Sequence, residues 1–408
     1  MKEGVRVAGA DQPRTLRVGF VITASSEWLA VVQYYRNLWN AIALAGEDLE
    51  PVALVGEKFD LDVMDGAPGG IEVQRSPWLD ARTPRWAARA ALARSPTSHL
   101  PLEPVLRRQG IDVMSHSGPL GRFAHTPAIS WIPDFQHVRL PEMFDSRERR
   151  LRDRGFRRIC RLSDRVLVSS VDALGDLADF DPEALPRARV LRFVADPLPS
   201  ETLPALAELE SEYGFSGPYL HLPNQFWKHK NHSVVIEAVA RLRARGMPIL
   251  VLATGGTRDY RWPGHFEQLI AEIARLGVGD YFRIIGSVPY PHVAALMHHA
   301  RAVVNPSLFE GWSTTVEEAK STGARVVLSD LDVHREQDPP DGIFFDRYDP
   351  EACAEALHEA WEEHDPALER QRQKAAQTVL GERRRAFGAA YADIVREVVA
   401  DRRPVGSV

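Results

Sequence analysis

The sequence predicts an α/β protein with two Rossmann-like domains, each a parallel β-sheet covered by helices on both faces. Three observations carry this prediction. The chain has 408 residues, which exceeds the size of one ordinary hydrophobic core. Its apolar stretches are short and continuous, as in parallel strands that are buried on both faces. These stretches alternate with amphipathic helical segments along the whole chain, which is typical of doubly wound domains.

The individual elements follow from these patterns. The predicted strands of the first half are Val18–Thr23, Val52–Val55, Ile111–Met114, Ala128–Ile132, Val166–Ser169 and Val190–Val194. Those of the second half are Tyr219–Leu222, Ile249–Ala253, Phe282–Ile285, Ala302–Asn305, Arg325–Leu328 and Gly342–Phe345. The clearest predicted helices are Tyr34–Ala45, Ser233–Arg245, His265–Leu276 and a long terminal segment, Pro366–Asp401.

A proline-rich stretch at residues 195–200 interrupts the alternation after the sixth predicted strand, so we place the domain boundary there. The predicted organisation is a flexible N-terminal extension over residues 1–15, a first Rossmann-like domain over 16–196, a second over 197–382, and a C-terminal helix over 383–408 that packs back on the first domain.

The composition narrows the class of protein. A net charge of −6 argues against a general nucleic-acid binder, which is normally basic. The two cysteines, Cys160 and Cys353, fit buried apolar positions in a reducing compartment better than a disulfide or a metal site. No apolar run approaches 18 residues, and residues 1–15 lack the apolar core of a signal peptide. We therefore expect a cytoplasmic protein.

The stretch from Asn305 to Gly323, NPSLFEGWSTTVEEAKSTG, is the most informative part of the chain. A strand runs into a loop that carries Glu310, and the loop opens a helix that carries Glu318. Two carboxylates eight residues apart can bind different hydroxyls of one sugar-bearing ligand. The amides of the helix start lie between them and suit a phosphate.

This stretch resembles the Glu-x7-Glu motif of retaining family 4 glycosyltransferases of the GT-B fold, usually written Pro-Ser-x-x-Glu-Gly-Phe-Gly-x-x-x-x-Glu-Ala. The resemblance implies two Rossmann-like domains facing across a cleft, with the acceptor domain first and the nucleotide-sugar donor domain second. A capping box is the plainer interpretation, because Thr314 with Glu317 and Thr315 with Glu318 both fit one. Glu317 can cap the helix while Glu318 stays free for a ligand.

A second candidate segment, Leu222–His232, lies between a predicted strand and a predicted helix. The family resemblance implies an Arg and, five residues later, a Lys that bind the donor diphosphate. Gln225 stands at the Arg position and Lys230 at the Lys position. Gln lacks the forked pair of charged donors of Arg, and Lys228 can supply the missing charge. The chain has only six lysines, and two of them lie in this segment, which favours a binding role for it.

A third segment, the turn at Gly286, Ser287 and Val288, follows a predicted strand. The resemblance implies that this turn contacts the nucleotide base through its backbone, so side chains here do not reveal the base. The donor-site residues that we predict are Gln225, Lys228, Lys230, Gly286, Ser287, Val288, Glu310, Gly311, Trp312, Ser313, Thr314, Thr315 and Glu318. No metal site is predicted.

The first half carries looser signals. Asp134 and His137 follow a predicted strand, and either side chain can hydrogen-bond sugar hydroxyls; a turn followed by a surface histidine is the open alternative. His116 also ends a strand, where a lone histidine is mostly structural. Ala30 and Val31 occupy positions where many family members have glycines, and a β-branched valine hinders a positive φ.

The resemblance implies a retaining, metal-independent glycosyltransferase of hexosyltransferase type (EC 2.4 class), with Lys230, Glu310, His137 and Asp134 as candidate catalytic residues. Its substrates are a nucleotide-diphosphate sugar, with UDP as first guess and GDP or dTDP possible, and a carbohydrate, lipid-linked or small-molecule acceptor. We expect no cofactor and a role in polysaccharide, glycolipid or glycosylated natural-product biosynthesis. A non-catalytic GT-B subunit that partners another enzyme is the alternative.

One basic segment bears on location. Residues Arg147 to Arg165 hold nine arginines against three acidic residues. A helix this basic fits the anionic inner face of a membrane, and it fits equally a solvated helix in an arginine-rich protein.

Overall fold

A computed structural model describes residues 14–22, 29–61, 71–92, 101–120 and 124–402. The predicted N-terminal extension lies almost entirely outside the described residues, as does the segment 23–28 that precedes the first helix.

The described chain contains thirteen strands and fourteen α-helices. The strands are β1 (Leu16–Val21), β2 (Leu49–Val55), β3 (Glu72–Arg75), β4 (Val113–Ser115), β5 (Ala128–Trp131), β6 (Arg165–Val168), β7 (Ala188–Val190), β8 (Leu220–Leu222), β9 (Val251–Thr254), β10 (Phe282–Gly286), β11 (Val303–Asn305), β12 (Val326–Ser329) and β13 (Ile343–Phe345). The helices are α1 (Leu29–Ala45), α2 (Pro84–Leu92), α3 (Glu103–Arg108), α4 (Gln136–Arg139), α5 (Ser146–Leu162), α6 (Val171–Phe180), α7 (Leu206–Tyr213), α8 (His232–Ala244), α9 (His265–Leu276), α10 (Tyr290–His299), α11 (Thr314–Thr322), α12 (Asp332–Gln337), α13 (Pro350–Glu362) and α14 (Pro366–Arg402).

The strands form two parallel sheets, which confirms the predicted fold class. The first has the order β3-β2-β1-β4-β5-β6-β7 and the second the order β10-β9-β8-β11-β12-β13. Both orders reverse beside the first strand of the sheet, and in such sheets ligands bind outside the carboxyl ends of the strands. Each of the twelve predicted strands corresponds to an observed one, shifted by up to four residues at its ends. The thirteenth strand, β3, reads EVQR and was missed because it holds only one apolar residue.

The chain divides into two compact units, and this division does not follow the two sheets. Unit 1 consists of Met1–Ser130, Leu162–Arg165 and Gly388–Val408, and unit 2 of Trp131–Arg161 and Val166–Phe387. The predicted boundary at 196/197 instead separates the last strand of the first sheet from the first strand of the second. The predicted domain limits therefore stay a prediction.

Unit 1 has an apolar core beneath strands β2 and β4, in which Val52, Leu54, Leu106 and Met114 are buried. The last part of α14 belongs to this unit. A Cβ on Gly388 would lie 2.2 Å from the carbonyl oxygen of Ala41, so only glycine lets α14 come this close to α1.

Unit 2 has its main core between the second sheet and helices α8, α9 and α13. A smaller cluster joins the segment before α5 to the loop after β11, because Leu140, Met143 and Phe144 pack with Phe309 and partly buried Trp262. Cys160 and Cys353 are both buried and free, as predicted. In the described part of the chain, no helix combines the length and apolarity needed to cross a membrane.

Candidate functional site

The centre of the candidate site is an ion pair at the carboxyl edge of the second sheet. Lys230 follows β8 and Glu310 follows the neighbouring strand β11, so the sheet order brings together residues that lie 80 positions apart. The Lys230 Nζ atom donates to Glu310 Oε1 over 2.6 Å. The sequence predicted both residues as site residues, and the structure places them in direct contact.

One oxygen of Glu310 is saturated and the other is not. Besides the Lys230 ammonium, Oε1 accepts the Ser307 hydroxyl over 2.6 Å and the Asn305 amide over 3.4 Å. Oε2 accepts no hydrogen bond from the residues that the structure describes, and it is not among their buried unpartnered atoms. The carboxylate thus has one oxygen held by protein and one available to a hydroxyl.

Glu310 is held in its charged form. Burial by itself raises the pKa of this carboxyl, but the Lys230 charge, the nearby His334 ring and the Ser307 hydroxyl outweigh it and bring the pKa down to about 2. A buried carboxylate is stable only with such partners, and here they are a cation and a hydroxyl.

A buried amide network holds this loop in place. Asn224, just past β8, donates to Asn305 Oδ1 over 3.0 Å, and Asn305 donates to the Ser313 hydroxyl over 2.8 Å. The Ser307 hydroxyl oxygen also lies 2.7 Å from Asn305 Oδ1. Sequence reasoning missed Asn224, Asn305 and Ser307 as organising residues. The signal that the sequence offers for them is their position: each polar residue lies at or just after the end of an apolar strand.

Helix α11 begins at Thr314, and Ser313 is its N-cap. The Ser313 hydroxyl accepts from the amide of Val316 over 3.3 Å. The predicted capping boxes at Thr314 and Thr315 are therefore wrong. Glu317 does not return to a cap amide; it is buried and accepts from Arg383 over 2.5 Å and from Gln337 over 3.2 Å.

The start of α11 still offers free amides. The amide of Ser313 is occupied by the Gln337 side chain and that of Val316 by Ser313. The amides of Thr314 and Thr315 make no hydrogen bond to the described residues. They lie at the positive end of the helix, four and five residues after Glu310, where an anion is favoured. Thr314 is exposed, and the Thr315 hydroxyl donates weakly to Asn224 over 3.4 Å.

Glu318 lies one turn further along α11. Its Oε1 accepts the hydroxyl of Tyr290 over 2.9 Å, and Tyr290 opens helix α10 just after the predicted base-contacting turn. Burial raises the pKa of Glu318 to about 7, against the lowering effect of the Tyr290 hydrogen bond. Glu318 therefore changes charge near neutral pH, whereas Glu310 does not.

Gly255 links the predicted Gln225 and Gly286 positions through backbone contacts. Gly255 follows β9 with φ +142°, and a Cβ there would lie 2.8 Å from the Gln225 Cα atom. The Gly255 amide donates to the Gly286 carbonyl over 2.8 Å, and Gly286 has φ +84°. Gln225 and Ser287 are exposed, and Val288 is half-buried. The ends of β8, β9 and β10 thus present backbone rather than bulky side chains.

Two other predicted donor-site residues, Trp312 and Lys228, contact other groups of the protein. Trp312 is buried, and its indole donates to the Phe193 carbonyl over 3.0 Å. The Lys228 ammonium lies 3.3 Å from the centre of the Trp262 ring, and the Lys228 amide donates to Asp259. The charge of Lys228 is therefore engaged by an aromatic face.

Asp134 is placed beside the loop of Glu310. A Cβ on Gly311 would lie 2.2 Å from the Pro133 carbonyl oxygen and 2.8 Å from the Asp134 Cβ atom. Gly311 is necessary here because any side chain would collide with this backbone. The structure therefore brings Asp134 next to the residue that follows Glu310.

His137 does not reach the candidate site. Its side chain has no exposed surface, its Nε2 atom lies 3.2 Å from Asp153 Oδ1, and Phe144, Phe156 and Phe180 surround the ring. Burial lowers the pKa of His137, although Asp153 opposes the shift. The expectation that this side chain meets a sugar hydroxyl is contradicted by its burial.

His116 is structural, as the sequence favoured. It stacks on Phe20 with ring centres 5.9 Å apart, and its Nε2 atom lies 2.7 Å from the Tyr34 hydroxyl. Burial lowers the pKa of His116 to about 3. Ala30 and Val31 both lie within helix α1, and Val31 is not among the residues with positive φ. The expected conflict between valine and a positive φ does not arise.

Comparison with known proteins gives three kinds of match. Residues 217–378, which hold the second sheet and every site residue from Gln225 to Glu318, match the family model of glycosyl transferases group 1. The MMP alpha-(1->4)-mannosyltransferase of Mycolicibacterium hassiacum is 34% identical over 113 residues, which are 28% of this chain and 26% of that relative. The match thus spans about a quarter of that protein.

Solved structures match over nearly the whole chain. A glycosyltransferase from Rickettsia africae has a TM-score of 0.67 at 14% identity, over 94% of this chain and 98% of that chain. An α,α-trehalose-phosphate synthase (UDP-forming) from Burkholderia xenovorans, in complex with glucose 6-phosphate, has 0.64 at 14% identity over 94% and 99%. HepE of Anabaena, in complex with UDP and glucose, has 0.61 at 14% identity over 95% and 98%.

At such identities these likenesses show the fold, which is that of GT-B glycosyltransferases. Together with the family match in the second half, they support a glycosyltransferase of the GT-B type.

Proposed function

We propose that this chain transfers a sugar from a nucleotide-diphosphate sugar to an acceptor hydroxyl with retention of anomeric configuration and without a metal ion. The observation that carries the proposal is the geometry around Glu310: Oε1 is saturated by Lys230, Ser307 and Asn305, while Oε2 is available. A carboxylate held charged in this way suits a sugar hydroxyl. Retention is supported by the resemblance of the Glu310–Glu318 segment to retaining enzymes.

The diphosphate is assigned to Lys230 and the amides of Thr314 and Thr315. As the bond from the sugar to the diphosphate breaks, negative charge grows on the leaving phosphate, and positive groups set in place beforehand stabilise it. The leaving phosphate takes the proton of the acceptor hydroxyl, so no separate base is needed. Asp134, beside Gly311, is proposed to orient the acceptor hydroxyl.

The nucleoside is assigned to Glu318 and to the exposed strand ends at Gln225 and Ser287. The carboxylate of Glu318 accepts a ribose hydroxyl, and the glycine backbone at Gly255 and Gly286 lets the base lie close to the ends of β9 and β10. UDP is the first choice among nucleotides, supported by the UDP complex of the Anabaena structure. GDP and dTDP follow.

Calorimetric titration of UDP, GDP and dTDP into the wild type and Glu318→Ala tests the donor site. We expect micromolar binding of one nucleotide and a loss of about tenfold or more in the variant, or about 1.4 kcal/mol. No binding at millimolar concentration would remove the donor assignment. Binding without turnover on any acceptor would instead favour the non-catalytic subunit. Anomeric analysis of a product by NMR tests retention, and unchanged rates in EDTA test metal independence.

The arginine-rich helix α5 is proposed to contact an anionic membrane surface that presents a lipid-linked acceptor. Its exposed residues include Arg147, Arg150, Arg154 and Arg161, which share one face with the exposed Leu151. An arginine face with an apolar residue in it fits anionic lipid. Sedimentation with vesicles containing 30% phosphatidylserine should pull down the wild type, and Arg150→Gln/Arg154→Gln should bind less. Equal binding to neutral vesicles would contradict this contact.

A further inference from the structure

A diphosphate in the proposed site requires more positive charge than Lys230 alone provides. The ammonium of Lys230 is paired with Glu310 over 2.6 Å, so the two together carry no net charge. Glu318 adds negative charge once it ionises, with a pKa of about 7. The helix amides contribute only partial charge. A nucleoside diphosphate therefore needs a further cation nearby. This requirement rests on the proposed function.

Besides Lys230, the segments 225–230 and 255–262 hold three Lys or Arg residues, and two of these three are engaged by protein groups. Lys228 lies on the Trp262 ring. Arg261 is nearly buried; it donates to Gln136 over 3.0 Å and lies against the rings of Phe144 and Trp227. These contacts hold the charge of Lys228 and that of Arg261 against aromatic rings.

Arg258 is the third cation, and it has no such partner. Its side chain is exposed, and it makes no hydrogen bond or ion pair with the part of the chain that the structure describes. Its backbone, however, is held firmly. Two residues before it, the Gly256 carbonyl accepts from the amide of Phe226 over 2.9 Å. The next residue, buried Asp259, accepts from the amide of Lys228 over 3.0 Å.

These two hydrogen bonds align the segment 256–259 with the segment 226–228. A Cβ on Gly255 would lie 2.8 Å from the Gln225 Cα atom, at the start of the same paired stretch, so positions 225 and 258 lie on two segments that are held side by side. An arginine on a fixed backbone, with an unengaged guanidinium and five donors, is well suited to bind phosphate oxygens. Gln225, on the neighbouring segment, carries no charge.

We infer that Arg258 supplies the second positive charge of the diphosphate site, the charge that Gln225 does not provide. Because the two segments are hydrogen-bonded to each other, we expect that the charge can be moved from one segment to the other. An arginine at position 225 should therefore replace one at position 258.

The test is a set of calorimetric titrations with UDP, GDP, dTDP and inorganic pyrophosphate. The variants are Arg258→Gln, Gln225→Arg, the double variant Arg258→Gln/Gln225→Arg, Lys228→Met, and Arg275→Gln as a matched loss of an exposed arginine on α9. Arg258→Gln should weaken the nucleotide bound by the wild type and pyrophosphate by about tenfold to a hundredfold, the range of one charge-assisted hydrogen bond. The double variant should regain affinity to within about threefold of the wild type, and Arg275→Gln should change it by less than about twofold.

The outcomes separate the two proposals. If the wild type binds a nucleotide and Arg258→Gln binds it with the same affinity, the inference is overturned and the donor site stands. The inference is also overturned if only Lys228→Met weakens binding, or if the double variant stays as weak as Arg258→Gln while its thermal midpoint is unchanged. If the wild type binds neither a nucleotide nor pyrophosphate, both proposals fail.

Discussion

Two loops of unit 2 each place a titratable residue beyond a parallel strand, and their fates differ. His137 follows β5 and Glu310 follows β11, and each side chain is almost enclosed beside a charged residue, Asp153 and Lys230 respectively. Phenylalanine rings enclose His137, and burial lowers its pKa, which favours the neutral form of the ring. Hydroxyl and amide donors with Lys230 enclose Glu310, which stays charged.

The difference shows that position after a strand is not enough to make a site residue. A buried group stays ionised only where hydrogen-bond donors or charges compensate for lost water. The loop after β11 supplies them from Asn305 and Ser307. His137 instead meets aromatic carbon from Phe144, Phe156 and Phe180, while the loop after β5 places Asp134 beside Gly311.

The largest expected effect comes from breaking the Lys230–Glu310 pair. Lys230→Met leaves the Glu310 carboxylate without its cation, so the free energy of unfolding should fall by about 3–5 kcal/mol. Nucleotide binding should fall about a hundredfold or more. Urea unfolding and calorimetry measure both.

The double variant Lys230→Met/Glu310→Gln is the control for this pair. It should regain most of the stability, because no charge is then left unpaired, but none of the binding. If the single variant were as stable as the wild type, Glu310 would not depend on Lys230 for its charge.

The next effect concerns the contact between the two loops. Gly311→Ala places a methyl group 2.2 Å from the Pro133 carbonyl oxygen, so the loop after β11 must move. We expect the free energy of unfolding to fall by about 1–3 kcal/mol and nucleotide affinity to fall with it. Thermal unfolding and titration report these changes.

Gly175→Ala in helix α6 is the matched control, because a Cβ there meets nothing within 4 Å. It should be neutral or stabilise by up to about 1 kcal/mol. If both substitutions changed the free energy of unfolding equally, the close approach at Gly311 would not contribute to stability.

A third effect distinguishes the two carboxylates of α11 and its loop. Glu318 has a folded pKa of about 7, above its ordinary value, so its protonated form stabilises the fold. That stability is fully present below about pH 4.5 and is lost as pH rises through 7. Relative to Glu318→Gln, the wild type should therefore lose about 2–3 kcal/mol between pH 5 and pH 8.

Glu310 should show the opposite dependence. Its folded pKa of about 2 is below its ordinary value, so its contribution is present above about pH 4.5 and is lost as pH falls toward 2. Urea unfolding at several pH values compares the wild type with each Gln variant. Parallel pH profiles for Glu318→Gln and the wild type would contradict the raised pKa.

The smallest effect is expected at His137. His137→Phe replaces a ring that is already enclosed by phenylalanines, and Asp153 is exposed enough to regain water. Nucleotide affinity should stay within about twofold and the free energy of unfolding within about 1 kcal/mol. A tenfold loss of turnover at unchanged stability would return His137 to the site.

Sequence reasoning recovered most of the fold because each predicted strand is an apolar run that can be recognised locally. It missed β3, whose polar residues suit a sheet edge. The family resemblance also singled out Lys230, Glu310 and Glu318, and their assignment as donor-site residues stays a prediction. Sequence reasoning failed for the cap of α11, because Ser313, Thr314 and Thr315 all suit an N-cap and only the backbone conformation selects Ser313.

The sequence by itself determined the alternation of strands and helices and the positions of Glu310 and Glu318 around a helix start, because both depend on neighbouring residues. Only the tertiary structure decided which oxygen of Glu310 is occupied, which charge Trp262 engages and which histidine is enclosed. These outcomes depend on residues that are distant in the chain, such as Lys230 and Glu310, and on the loss of water around them. Burial and partners are properties of the packed protein, so no local pattern encodes them.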